Sequence, residues 1–105
     1  MKETLTQKKA MQLVRHVLGL SAKPEKEEGL RGPAYSFSTR CLQIRVERYK
    51  FKGRDLLSLF LTTGLSVSMR LFFEPETLEE DYEAEDTYRR ILQEEKCESC
   101  RYRTT

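Results

Sequence analysis

From Ala34 to Phe73 apolar residues recur at every second position, and β-branched and aromatic types concentrate there. A period of two is the pattern of a strand, whose side chains point alternately to opposite faces of a sheet. It is clearest from Leu65 to Phe73, where Leu65, Val67, Met69, Leu71 and Phe73 alternate with Ser66, Ser68, Arg70 and Phe72. Ala34 to Phe51 as one strand would extend about 60 Å at ~3.3 Å per residue, too long for a small domain, so a turn is expected near Ser38 to Cys41. Short and long strands are therefore read at Tyr35 to Ser38 and Leu42 to Phe51. Leu42, Ile44 and Val46 share one phase while Tyr49 and Phe51 lie on the other, which a bulge near Glu47-Arg48 would reconcile. After a turn at Lys52-Gly53-Arg54-Asp55, Leu57, Leu59 and Leu61 mark a third strand, and Thr63-Gly64 allows a reversal.

The flanks have the helical period. Between about Leu5 and Leu18, Ala10, Leu13, Val14, Val17 and Leu18 fall on one face, Thr4 with Gln7 fits a capping box, and Gly19 suits a left-handed stop. Ser21 to Pro33 is rich in Lys, Glu, Gly and Pro and reads as a mobile connection, residues 21–33. Beyond Pro75, Thr77 with Glu80 repeats the capping pattern. Leu78, Tyr82, Tyr88, Ile91 and Leu92 then supply an inner face to about Lys96, with a thin stretch at Glu83 to Asp86 where the helix could break.

The expected fold is α+β: a helix, a three- to four-stranded antiparallel sheet and a second helix, with both helices on one sheet face. The buried set would include Val14, Val17, Leu65, Val67, Met69, Leu71 and Ile91. With 105 residues and 38% apolar content, one core is all the chain can build, so residues 1–96 form a single domain and 97–105 a C-terminal tail. Apolar runs reach only about three residues, and the start is polar, so neither a signal peptide nor a membrane span is expected. The three cysteines are an odd count that fits reduced thiols and a cytoplasmic location better than a disulfide framework.

A net charge of +2 conceals a strong polarity along the chain. Residues 31–73 carry eight basic and two acidic groups, and 74–105 carry five and eleven. Glu74 to Asp86 alone holds eight carboxylates and no basic residue, a density that must sit in water or against a basic partner.

Chemistry-bearing motifs are sparse. Cys97-Glu98-Ser99-Cys100 has the spacing of half a zinc knuckle, which Cys41 and His16 or a second subunit would have to complete. A redox pair would open a helix, whereas this one follows an expected helix end. We read these cysteines as incidental, His16 as a residue bordering the core, and a Cys41–His16 dyad as unsupported by any signature. No catalytic residue, metal or cofactor is assigned, because no nucleophile, base and anion-stabilising set can be assembled.

Two binding modes follow. In the first, Glu76, Glu79, Glu80, Asp81, Glu83, Glu85 and Asp86 form an acidic helix that engages a protein partner with a basic surface, such as a nucleic-acid-processing enzyme, by imitating a phosphate backbone. In the second, Arg45, Arg48, Lys50, Arg54 and Arg70 with Phe60 and Phe72 make a basic, aromatic sheet face for DNA or RNA. The order helix, strands, helix is similar in coarse topology to the double-stranded RNA-binding domain. That family places lysines at the start of its second helix, where this chain has Glu76, Glu79, Glu80, Asp81 and Glu83, which counts against direct RNA binding. In layout the chain resembles some small phage-encoded anti-CRISPR inhibitors, which also join a short sheet to acidic helices, though no motif is shared. The expectation is a non-catalytic inhibitor or modulator, with nucleic-acid binding as the alternative.

Overall fold

The computed structural model describes residues 5–29, 31–64 and 67–103, with side chains as far as Glu94. In chain order the elements are α1 (Gln7–Leu18), β1 (Glu25–Gly29), β2 (Gly32–Ser38), β3 (Leu42–Phe51), β4 (Arg54–Thr63), β5 (Ser68–Phe73) and α2 (Tyr82–Arg103). The strands form one antiparallel sheet in the order β1-β2-β3-β4-β5. The class is α+β, as expected, but the sheet has five strands where three or four were anticipated.

The additional strand, β1, lies in the stretch read as a mobile connection. Its sequence Glu25-Lys26-Glu27-Glu28-Gly29 has no apolar residue to alternate, so it carries no period-two signal. It is held instead by backbone pairing with β2, from Glu25 opposite Ser36 to Gly29 opposite Gly32. The Glu27 carboxylate adds a bond from the Ser36 hydroxyl at 2.7 Å and one from Arg45 at 2.6 Å.

One face of the sheet is closed by α1. Tyr35, Phe37, Ile44, Val46, Leu57, Leu59 and Phe73 share this face by register and pack with Leu5, Ala10, Leu13 and Val14. The helix starts at Thr6, whose hydroxyl accepts from the Lys9 amide at 3.2 Å, and not at Thr4, which lies outside the described residues. Gly19 ends it in the left-handed conformation, its N–H donating to the Arg15 carbonyl at 2.9 Å.

The second helix covers the opposite face, so the expectation of both helices on one side is corrected. Leu56 and Phe72 are buried there with Ala84, flanked by Tyr49, Phe51 and Tyr88. Phe72 is 0% exposed, its ring 5.0 Å from that of Tyr49 and 5.7 Å from that of Tyr88. The change of phase in β3 is explained by this second layer rather than by a bulge. Pairing of β3 with β4 runs without offset from Leu42 opposite Thr63 to Phe51 opposite Arg54. Ile44 and Val46 face α1, and Tyr49 and Phe51 face the α2 side, because each helix shields a different half of the strand. The β3–β4 turn is only Lys52-Gly53, both at positive φ (48° and 80°), so Arg54 and Asp55 belong to β4.

Residues 74–81 carry the chain from one face to the other around the outer side of β5. Leu78 is buried in the α1 layer at a φ of 60°, an uncommon conformation for a branched side chain. Three residues on, Asp81 caps α2, its Oδ1 accepting from the Ala84 amide at 3.0 Å. The helix therefore begins at Tyr82 rather than Thr77, and Glu83 to Asp86 form its first turn, not a break. Its backbone continues to Arg103, so Cys97 and Cys100 stand on this helix.

Of the residues expected to be buried, Val14 is buried and Val17 and Leu71 are half-buried, but Val67 is 61% and Met69 55% exposed, and Ile91 is also exposed. Leu65 lies outside the described residues. The phase of β5 is as read, with Met69, Leu71 and Phe73 on one face, yet cover fades from Phe73 toward the β4–β5 turn.

Replacing Phe72 with alanine should empty the centre of the second layer and destabilise the protein by about 3–5 kcal/mol. Phe60→Ala, at a half-buried position on the same face, should cost clearly less; urea denaturation of the two variants provides the comparison.

Candidate functional site

The basic residues singled out from sequence are largely matched by carboxylates within the fold. Arg45 lies 2.6 Å from Glu27 and 3.4 Å from Glu47, Arg70 lies 3.4 Å from Glu47, and Arg48 lies 3.3 Å from Asp55. Arg54 reaches Asp81 at 2.6 Å and Glu74 at 4.0 Å. Register divides the set between two faces: Arg45, Arg54, Phe60, Arg70 and Phe72 lie on the α2 side, and Arg48 and Lys50 on the other. Phe72 is buried and presents no ring to a base. Lys50 is exposed and forms no ion pair among the described residues.

Arg70 is closely confined, with a side chain 17% exposed. Its Nη1 donates to the hydroxyl of buried Ser58 at 2.8 Å, while its guanidinium carbon lies 4.9 Å from the ring centroid of Phe60, 5.4 Å from Tyr88 and 5.5 Å from Tyr49. Three aromatic faces around one cation provide quadrupole attraction in a partly desolvated site. The Nε of Arg70 has no hydrogen-bond partner among the described residues.

The acidic block divides into structural and exposed members. Asp81 caps α2 and pairs with Arg54, and Asp86 lies 3.1 Å from Arg90. Glu80 is half-buried and bridges to Phe73. Glu76, Glu79 and Glu83 are exposed and form no ion pair among the described residues. Only Glu83, Glu85 and Asp86 of the group stand on α2 itself, so the row of carboxylates is part turn and part helix.

Glu85 is 6% exposed, and its Oε2 accepts from the Phe72 amide at 3.2 Å on the outer side of β5. Burial pushes its carboxyl up to about 7, reinforced by a hydrogen bond and repulsion from Glu80, against the opposing pull of the Phe72 amide and the Arg89 charge. The Glu85 carboxyl thus keeps its proton until near neutral pH.

Between β5 and α2 lies a cleft of about 300 Å³, walled by Phe60, Met69, Leu71, Tyr88 and Leu92, with Ser68, Arg70, Glu85 and Arg89 supplying its polar groups. An apolar recess with a few convergent polar groups is the usual form of a binding site. Sequence reading missed it, because its walls come from β4, β5 and α2. The available signal was the continuation of the α2 apolar stripe from Tyr88 to Ile91 and Leu92, both of which are exposed.

Elsewhere, His16 and Cys41 are exposed, and the side chains of Cys97 and Cys100 lie outside the described residues. Among the described residues no group of three or more His, Cys, Asp or Glu side chains could hold a metal ion. No helix among them is long and apolar enough to cross a membrane.

The raised carboxyl of Glu85 has a defined effect on stability. The native state binds more protons than the unfolded chain between the ordinary carboxylate value of 4.5 and about 7, so the Glu85 contribution is fully present below that range and lost as pH rises through it. Glu85→Gln keeps an acceptor for the Phe72 amide without a charge. It should flatten the fall in Tm between about pH 5 and pH 8 and raise Tm at the upper end, as read by thermal denaturation across pH.

Comparison of the chain with protein-family models, with curated proteins and with solved structures finds no significant match in any of the three.

Proposed function

We propose that this chain is a small non-catalytic binding protein that engages the basic surface of a protein partner through the carboxylates around the start of α2. The observation that carries this reading is the unequal use of charge. Arg45, Arg48, Arg54 and Arg70 are engaged by carboxylates of the fold, whereas Glu76, Glu79 and Glu83 are exposed with no ion pair among the described residues. A charge already matched internally contributes little to steering, and an unmatched cluster on a fixed frame attracts an oppositely charged surface at long range. The frame here is the Asp81 cap and the Glu85–Phe72 bond, which anchor the segment that displays the three glutamates.

A nucleic-acid-processing enzyme is the kind of partner whose basic groove such a surface fits, with the protein acting as inhibitor or modulator. Direct nucleic-acid binding is disfavoured by the same ion pairs, since releasing Arg45 or Arg70 for phosphate would strand Glu27 and Glu47.

The reading predicts that the unmodified protein gives no gel shift with a duplex of about 20 base pairs at about 0.15 M salt, where binding would otherwise rest on phosphate contacts. Affinity capture from the native host, followed by direct titration of the partner identified, should show binding that weakens as salt rises and is lost in Glu76→Lys, Glu79→Lys, Glu83→Lys. A tight gel shift abolished by Arg45→Ala with Arg70→Ala would instead establish the sheet face as the binding surface.

A further inference from the structure

The cleft between β5 and α2 takes its side chains from one face of each element. By register Phe60 and Arg70 stand opposite one another with Ser68 on the same side of the sheet, whereas Met69 and Leu71 turn to the α1 side and border the cleft only along the strand. From α2 come Glu85, Tyr88, Arg89 and Leu92, at the i, i+3, i+4, i+7 spacing of a single helix face. Phe60, Tyr88 and Leu92 make an apolar wall, and two guanidiniums border it. Arg70 makes its hydrogen bonds, to Ser58 and Glu47, through Nη1 alone, so Nε and Nη2 have no partner among the described residues. Arg89 forms no ion pair among them, and its charge is felt at Glu85 from beyond ion-pair distance. Guanidiniums with unused donors beside an apolar wall are suited to a planar, two-oxygen acceptor.

We propose that this cleft binds a small organic carboxylate, its head group held by Arg70 and Arg89 and a flat apolar body lying against Phe60, Tyr88 and Leu92. The head group follows from charge. Glu47, 3.4 Å from Arg70, already offsets that cation, so the surplus at the cleft is the single charge of Arg89, which a monoanion matches and a dianionic phosphate exceeds. The size follows from volume: about 300 Å³ stands at the lower end for small-molecule sites and suits a body of one or two rings. Glu85 is the one carboxyl of the lining. It is nearly buried, accepts from the Phe72 amide and keeps its proton until about pH 7, so it opposes an anion weakly below that value. None of Glu76, Glu79 and Glu83 lines the cleft, so this site is independent of the acidic surface and stands whether or not that surface engages a partner.

The test is an NMR titration of the isotope-labelled full chain with 2-naphthoate at about pH 6, below the Glu85 value of about 7. The backbone amides of Ser68 and Arg70 and the Nε–H signal of Arg70 should shift saturably, with a Kd at or below about 1 mM. The uncharged 2-naphthamide, of the same shape, should bind at least about tenfold more weakly, and inorganic phosphate should give no saturable shift below about 10 mM. Arg89→Gln and Leu92→Glu, both at exposed positions and expected to leave Tm unaltered, should each weaken 2-naphthoate binding about fivefold or more. Glu85→Gln should bind it at least as tightly, since the arginines and not Glu85 hold the head group. Absence of a saturable shift up to about 10 mM 2-naphthoate would overturn the proposal. Equal affinity for the amide, or unchanged affinity in Arg89→Gln, would overturn it as well, by reducing the cleft to an apolar recess that does not recognise an anion.

Discussion

The backbone of Phe72 is held on its outer side by the Asp81 amide and the Glu85 carboxylate, and the placement of α2 depends on those two bonds. A chain leaving β5 could return over the face that α1 already covers. Here it passes around the strand, leaves Leu78 in the first layer and enters the second with Ala84. Side chains of Phe72 and Phe73, adjacent in sequence, are consequently buried in different layers. The sheet becomes the middle of three layers, and apolar residues on both of its faces find cover.

This arrangement determines what was legible in the sequence. Period-two stretches identified β2 to β5, and the 3.6 period with Gly19 identified α1, because those elements each bury one side. The site was less legible. Tyr49, Phe51 and Phe72 stood on what looked like a polar phase, and a bulge and a stacking surface were the economical readings with a single helix-covered face. The phase change within β3 was itself the mark of a second layer. β1 left no trace because an edge strand of charged residues is held by backbone and by Glu27, neither of which produces periodicity.

Charge tells a similar story. Counted along the chain, the middle is basic and the end acidic, which suggests two opposed surfaces. In three dimensions the basic residues of the middle meet carboxylates from several segments: Arg54 crosses to Asp81 and Glu74 of the acidic end, while Arg45 and Arg70 share Glu47 of the middle itself. Segment totals therefore overstate the field of the sheet. They describe the glutamates outside the frame better, since Glu76, Glu79 and Glu83 are left to the solvent. Glu85 is the extreme case, a carboxyl counted as surface charge that serves as a backbone acceptor and carries a proton near neutrality.

The sheet's meander order also bears on how the molecule forms. Every strand pairs with its neighbour in sequence, so each step of sheet assembly closes only a short loop and no step waits for distant segments to meet. The turn at Lys52-Gly53 sets the twist between the two longest strands, β3 and β4, making their hairpin a natural nucleus from which pairing spreads outward. Such local connectivity keeps the loop-closure cost of each pairing below that of a sheet assembled from distant segments. The far side of β5 is the exception to this locality of pairing, because its cover at Phe72 comes from Asp81 and Glu85, which the chain supplies only after it has passed around the strand.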